Sequence, residues 1–388
     1  MLYMPIVVPF YQSNGLNLKD LMILQAIYSI SIVVWEIPSG YLADAIGRKV
    51  TIVFGAVLGV IGFAIYSATS GFCPFLTAEM TLGIGASLIS GADSAILYDS
   101  LLEMRRENEY TRYEGWVSSV GNFSEAAAGI LGGLLAKLIS LRAPYIFQTG
   151  IALIGVPAAL MLAEPSRQGE KMRYHMKDIL LVVKYSLYDN RILRRNIIYS
   201  SIIGASTLTM AWFVQPYFSL VNIPLALYGV LWTSLNLTVA LTSMVAYRVE
   251  RKLGPGRTMI MITLGVSLGY FAVGMFQALW ALSFFYLFYM VRGIATPVLK
   301  NYINRLTTSE VRATVLSVRS FIIRILFAVI GPFLGWYAGK YTLAAAFLVA
   351  GVTFLVLGGV TVVLYLLALR HRIPGTYALQ IDDHSVKG

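Results

Sequence analysis

The sequence predicts an all-α membrane protein of twelve transmembrane helices, divided six and six. Three observations predict it. Hydrophobic residues make up 57% of the 388 and charged residues only 13%, where soluble domains carry about 25% charged. Mean hydropathy is +0.72. The apolar residues fall into long runs with short polar breaks, without the alternation and the roughly 10-residue length of barrel strands. These features exclude a soluble globular enzyme, a disordered chain and a disulfide-rich secreted domain. The single Cys73 permits no internal disulfide.

A spanning helix needs about 20 apolar residues. The first run, Met1 to Tyr11, is shorter than that, and is read as the remainder of a truncated first helix. It has neither the basic n-region nor the cleavage site of a signal peptide. Further spans fall near 18–43, 50–69, 72–102, 115–139 and 143–163, then 195–220, 225–247, 258–277, 279–303, 313–338 and 342–369. The break from Glu164 to Arg195 is the long one, and it carries eight Lys/Arg. It sets the domains: an N-terminal bundle over 1–163, a basic linker over 164–194, a C-terminal bundle over 195–370 and a tail over 371–388. Within the linker, Ile179 to Val183 reads either as a helix lying on the membrane surface or as solvated chain.

The halves echo one another. Gly40 to Lys49 follows the second span, and Arg251 to Arg257 follows the eighth. Gly129-Ile-Leu-Gly-Gly133 in the fifth span matches Gly331-Pro-Phe-Leu-Gly335 in the eleventh. Transporters with such duplications bind substrate between the repeats. Charge sets the orientation. Of 30 Lys/Arg, three lie in spans, four lie in one set of loops and 23 lie in the other loops and the tail. The positive excess marks cytoplasmic loops, so both termini are expected inside. Attraction to anionic headgroups accounts for the net charge of +11 without a nucleic-acid partner.

The second-to-third break reads Gly40-Tyr-Leu-Ala-Asp44-Ala-Ile-Gly47-Arg48-Lys49. This loop resembles the signature of the major facilitator superfamily, and the 6 + 6 division extends the resemblance over nearly the whole chain. The resemblance implies two bundles that rock about a central cavity. Gly40 would let helices approach closely, Gly47 would allow a tight turn, and Asp44 would pair with Arg48, Arg112 or a helix N-terminus. Gly40, Asp44, Gly47, Arg48 and Lys49 are thus a candidate conformational latch. The basic residue usual after the Asp is Ala45 here. Drug/proton antiporters of the superfamily carry an Arg four residues before a Gly-x-Gly. Here Glu79 stands before Gly83-Ile-Gly85. Their Gly-Pro in the fifth span is Ala128-Gly129.

Ionisable residues inside spans face a cavity or a partner. Glu36, Glu79, Asp93 and Glu125 lie in the N-half, and Arg292, Arg319 and Arg324 in the C-half. Counted at about 1.5 Å per residue, Asp93 and Glu125 lie near the midplane. They are the leading candidates for binding a proton or a substrate cation, with Glu36 beside them. Arg292 and Arg324 are candidates for an anionic substrate group, or for ion pairs with N-half carboxylates. Arg319 and Arg324 are five apart, about 140° around a helix, so they do not share a face. In the seventh span Pro216 is expected to break the helix; Gln215 and Tyr217 then reach substrate, or the aromatics there form an interfacial belt at the outer boundary. Tyr98, Tyr145, Gln148, Tyr302 and Asn304 are weaker candidates.

No phosphate-binding loop is present, His175, His371 and His384 do not cluster, and no nucleophile–base pair appears, so neither catalysis nor a cofactor nor a metal is expected. The function expected is secondary active transport in a bacterial plasma membrane. A monomer embedded in the bilayer would move a small organic solute by alternating access, coupled to protons. Export of amphipathic compounds comes first. Uptake of an organic anion is the alternative, and a non-transporting or lipid-translocating member of the same fold is another.

Overall fold

In a computed structural model, the described residues are 1–90, 92–106, 109–164, 181, 183–307 and 309–370. All extended regular structure among them is helical. The chain starts with a 3-10 turn over Met4–Ile6 and a seven-residue helix α1, Val7–Ser13. Six helices follow: α2 Leu18–Ile46, α3 Arg48–Ala68, α4 Phe72–Ser90, α5 Asp93–Glu103, α6 Tyr110–Leu138 and α7 Ala143–Leu160. After the linker come α8 Arg191–Leu220, α9 Tyr228–Leu253, α10 Pro255–Met275, α11 Leu282–Asn304, α12 Ser309–Lys340 and α13 Leu343–Arg370. Ten helices among the described residues are long and apolar enough to cross a bilayer. Adding α1 and α6 gives the twelve predicted segments. α6 has the length, 29 residues, but Glu125, Lys137 and several hydroxyl side chains dilute it.

Two local expectations are corrected. The fourth span is not one helix. It stops at Ser90 and restarts at Asp93, on the far side of Gly91-Ala92, so Asp93 sits in a first turn, where a carboxylate suits the helix dipole. Pro216 does not break α8, which runs on to Leu220. Near a helix end the ring removes a single ladder bond, and the last turn closes without it. The break in the N-half lies instead at Ile6, whose φ of −124° and ψ of 12° separate the 3-10 turn from α1. The stretch 165–180, residue 182 and the tail 371–388 lie outside the described residues, and with them most of the expected surface helix.

The ends of the helices follow from their sequence. Asn17 and Asp20 form a capping box at α2, and the Asn190 side chain caps α8 by accepting from Leu193 N–H at 3.0 Å. Two turns are copies of each other. Gly47 and Gly254 have φ of +111° and +75°, which a side chain would strain. Each precedes a helix of 21 residues. The hydroxyls of Thr51 and Thr258 each donate to the glycine carbonyl at 2.8 Å. The second turn follows the first by 207 residues, and so makes the internal echo a structural one.

Packing is closest within each half: α3 on α4 and α7, α2 on α4, then α10 on α13, α9 on α11, and α12 and α13 on α8. Among the described residues two long seams join the halves, α2 with α12 and α6 with α9. The first runs antiparallel, with Gly335 against Leu18 and Met22. The second closes where Gly129 and Gly133 face Gly229, and the Thr233 hydroxyl donates to the Ala126 carbonyl at 3.2 Å. A Cβ on Gly129 would lie 2.8 Å from Thr233 Oγ1, whereas one on Gly150 meets nothing within 4 Å. Gly129→Val should therefore cost about 1–3 kcal/mol by overpacking, and Gly150→Val within about 0.5 kcal/mol of nothing. Thermal unfolding in detergent compares the two.

Candidate functional site

Glu79 is the most enclosed carboxylate of the described residues, 5% exposed. It stands two turns into α4, and three other segments aim donors at it. Its Oε1 accepts from Tyr11 Oη of α1 at 2.7 Å, from Tyr66 Oη of α3 at 2.7 Å and from Gln25 Nε2 of α2 at 2.5 Å. The Tyr11 and Tyr66 hydroxyls also touch each other. Rings close the surroundings. Phe75 lies 4.7 Å from the Tyr66 ring and 5.3 Å from that of Tyr11, and Tyr145 lies 5.2 Å from Tyr66 and 4.0 Å from Phe10. The Tyr145 hydroxyl is buried with no partner.

The geometry has a chemical consequence. A buried carboxylate needs donors, and three converge on one oxygen. That oxygen accepts in either protonation state, while Oε2 is left to carry a proton. The site can thus hold a carboxylate or a carboxylic acid without rearranging its donors.

The helix that carries Tyr11 is also held from the C-half. Gln215, on α8, is 2% exposed. Its Oε1 accepts from Val8 N–H at 3.0 Å and its Nε2 donates to the Met4 carbonyl at 2.5 Å. Met4 and Val8 are four apart, the pair an unbroken helix would bond directly. The carboxamide therefore fills the break at Ile6 and ties the halves together.

The other predicted residues are placed separately. Asp93 is exposed at the start of α5, and Glu125 is exposed on α6 with Oε2 3.1 Å from the Met1 amine. Glu36, half-buried on α2, lies beside Ser317 of α12 within electrostatic reach of Arg324. Arg292 is half-buried with its guanidinium 5.4 Å from the centre of the Tyr289 ring. The Tyr217 hydroxyl donates to the carbonyls of Phe276 at 2.8 Å and Ala278 at 3.1 Å, which pins a loop.

In the latch sequence, Arg48 pairs with Asp99 of α5. The backbone N–H groups of Arg48 and Lys49 donate to the Glu164 carboxylate at 2.9 and 2.7 Å. The side chains of Asp44 and Arg112 lie outside the described ones. Gly40 makes no close approach, since a Cβ there meets nothing within 4 Å. The contacts described thus tie the α2–α3 turn to α5 and to the end of α7, all within the N-half.

The family model of the Major Facilitator Superfamily matches residues 1–325. The chain belongs to the major facilitator superfamily. Its relatives include the uncharacterised MFS-type transporter MJ1560 of Methanocaldococcus jannaschii, 22% identical over 64% of this chain and 62% of that protein. The quinolone resistance protein NorA of Staphylococcus aureus is 19% identical over 47% of this chain and 46% of its own. The matching stretch thus spans between about half and two thirds of these relatives. Among solved structures, the nucleoside transporter NupG superposes with a TM-score of 0.77 at 13% identity, covering 95% of both chains. A bacterial homologue of the human lysosomal transporter Spinster, inward-facing and unoccupied, gives 0.76 at 13%, covering 95% of this chain and 94% of that one. At that identity the likeness is one of fold. The protein is a multi-pass membrane protein of this superfamily.

Sequence reasoning placed Glu79 in a span but ranked it below Asp93 and Glu125. The signal was its position at the antiporter arginine. Depth along the helix favoured the others, and only the fold shows which way each points. Tyr11→Phe and Tyr66→Phe should each cost about 1.5–3 kcal/mol, the range for hydrogen bonds to charged groups. The pair should cost less than the sum, because both donate to one oxygen. A double-mutant cycle by thermal unfolding measures this, and strict additivity would argue against the shared acceptor.

Proposed function

We propose that this superfamily member is a proton-coupled secondary transporter that exports a small amphipathic organic solute, with Glu79 as the carboxyl group that exchanges the proton. The observation that carries this reading is the convergence of three donors on one oxygen of an enclosed carboxylate. Its place supports the reading further. The cluster joins α1, α2, α3 and α4, and α1 is bonded to α8 of the other half through Gln215. A change of charge at Glu79 would therefore act on a helix that both halves hold.

Alternating access would proceed by movement of the half over 1–163 against that over 195–370. The basic loops and both termini would face the cytoplasm, by the positive-inside rule. A monomer in the plasma membrane suffices for this reading. Export rests on the likeness to a protein named for quinolone resistance. Asp93, Glu125 and Glu36 would line the path or its seam, and Asp44, Arg48 and Lys49 would help to hold one state. Uptake of an organic anion is the second reading. What favours it is that neither Arg292 nor Arg319 has a carboxylate within 4 Å among the described residues.

Reconstituted vesicles with an imposed pH gradient test this, with a fluorescent quinolone as probe. Antiport predicts accumulation in vesicles that are acid inside. Glu79→Gln should abolish that accumulation and leave quinolone exchange between equal pH values. Accumulation in vesicles acid outside would favour the uptake reading. A Glu79→Gln protein that still responds to the gradient would remove Glu79 from the role.

A further inference from the structure

The C-half buries a positive charge that the export scheme does not use. Arg319, on α12, is only 9% exposed. Its Nε donates to Ser200 Oγ of α8 at 2.5 Å, and the neighbouring Ser201 hydroxyl donates to the Arg319 carbonyl at 3.2 Å. One turn on, Ile323 packs on Gly204 of α8 and fixes the register of the two helices. Among the described residues, the two amino groups of the guanidinium donate to nothing and no carboxylate lies within 4 Å of it. The N-half carboxylates are occupied elsewhere. Glu36 is with Ser317 near Arg324, Glu79 is held by Tyr11, Tyr66 and Gln25, and Glu125 lies at Met1. The flanking residues of α12 on the same stretch, Val315 and Val318, are apolar and buried.

An enclosed, uncompensated guanidinium is costly, and inside a membrane such a residue marks a binding site or a path. With Nε spent on Ser200, the free edge is the end of the fork, where two parallel N–H groups match two oxygens of one oxyanion. We propose that Arg319 binds the anionic group, a carboxylate or phosphate, of an amphipathic organic solute, with Ser200 holding the guanidinium in place. This rests on the reading of the chain as a carrier of organic solutes, but not on Glu79. Proton coupling can fail in vesicles while the binding described next stands, and the reverse.

The test is equilibrium binding to the purified full chain in neutral detergent. The probe is 1-naphthoate, with 1-naphthamide as its uncharged counterpart. Wild type should bind naphthoate at least tenfold more tightly than naphthamide. Arg319→Met should lose that tenfold preference, and Arg319→Lys, which keeps the charge without the fork, should recover part of it. Without ligand, Arg319→Met should unfold at no lower temperature than wild type, because it removes an unpartnered charge and keeps the volume. Equal affinity of wild type and Arg319→Met for naphthoate would overturn the proposal. So would an unliganded Arg319→Met that unfolds earlier, since the arginine would then be structural. Phosphatidylglycerol separates the two sources of an oxyanion. Naphthoate binding that persists in its presence supports a solute site. If that lipid displaces naphthoate and stabilises wild type but not Arg319→Met, the arginine binds headgroups and the proposal falls.

Discussion

Hydrocarbon offers no hydrogen bonds, so a polar group within the bundle is costly unless another part of the chain answers it. Long helices answer most of the backbone. What remains is answered by a few side chains that reach between segments, and these decide how the helices sit. Gln215 supplies partners for the two backbone groups left unbonded at the Ile6 break. Arg142 donates to the carbonyls of Ser67 and Thr69, to Asn14 Oδ1 and to Ser70 Oγ, and so joins three loops at one end of the N-half. Glu79 gathers Tyr11, Tyr66 and Gln25. In each case one polar side chain links three or more stretches of chain, where apolar packing alone would leave helices free to slide.

The repeated turns show the same rule at helix ends. At Gly47 the freed N–H groups of α3 are taken up by Glu164, from beyond α7. At Gly254 the same backbone geometry opens α10, with the same threonine closing the first turn. The two halves share the turn and differ in what is placed around it. That difference is where a duplicated scaffold acquires unequal roles. The mid-span carboxylates lie in the N-half and the membrane arginines in the C-half.

Much of this was legible in the sequence. Periodicity and length give the helices, glycine gives the turns, and the signature loop with the basic linker gives the superfamily. Two kinds of feature were not. The first is the direction of a side chain. Counting residues gives depth, and depth put Asp93 and Glu125 ahead of Glu79. But Asp93 starts a new helix and Glu125 on α6 meets the Met1 amine, whereas Glu79 lies inside the aromatic cluster. The second is partnership across long separations. Nothing local marks Gln215 as the partner of Val8, 207 residues away. Proline next to it suggested a broken α8. The break was in the partner instead, where a glutamine on an intact helix could fill it.

The short helix α1 is the element on which these observations meet. It is seven residues long, too short to hold its place by its own ladder. It is fixed on one side by Gln215 and on the other through the Tyr11 hydroxyl to Glu79. Its face is sealed by Phe10 stacked on Phe75 at 5.6 Å. Held at these two points, α1 transmits force between them. If the bond to Tyr11 weakens when Glu79 takes up a proton, the strain falls on the carboxamide in the break, which is the contact between halves. Under the proposed proton coupling, no charge pair between the bundles is then needed: an element whose two supports belong to different halves suffices, and α1 meets that condition.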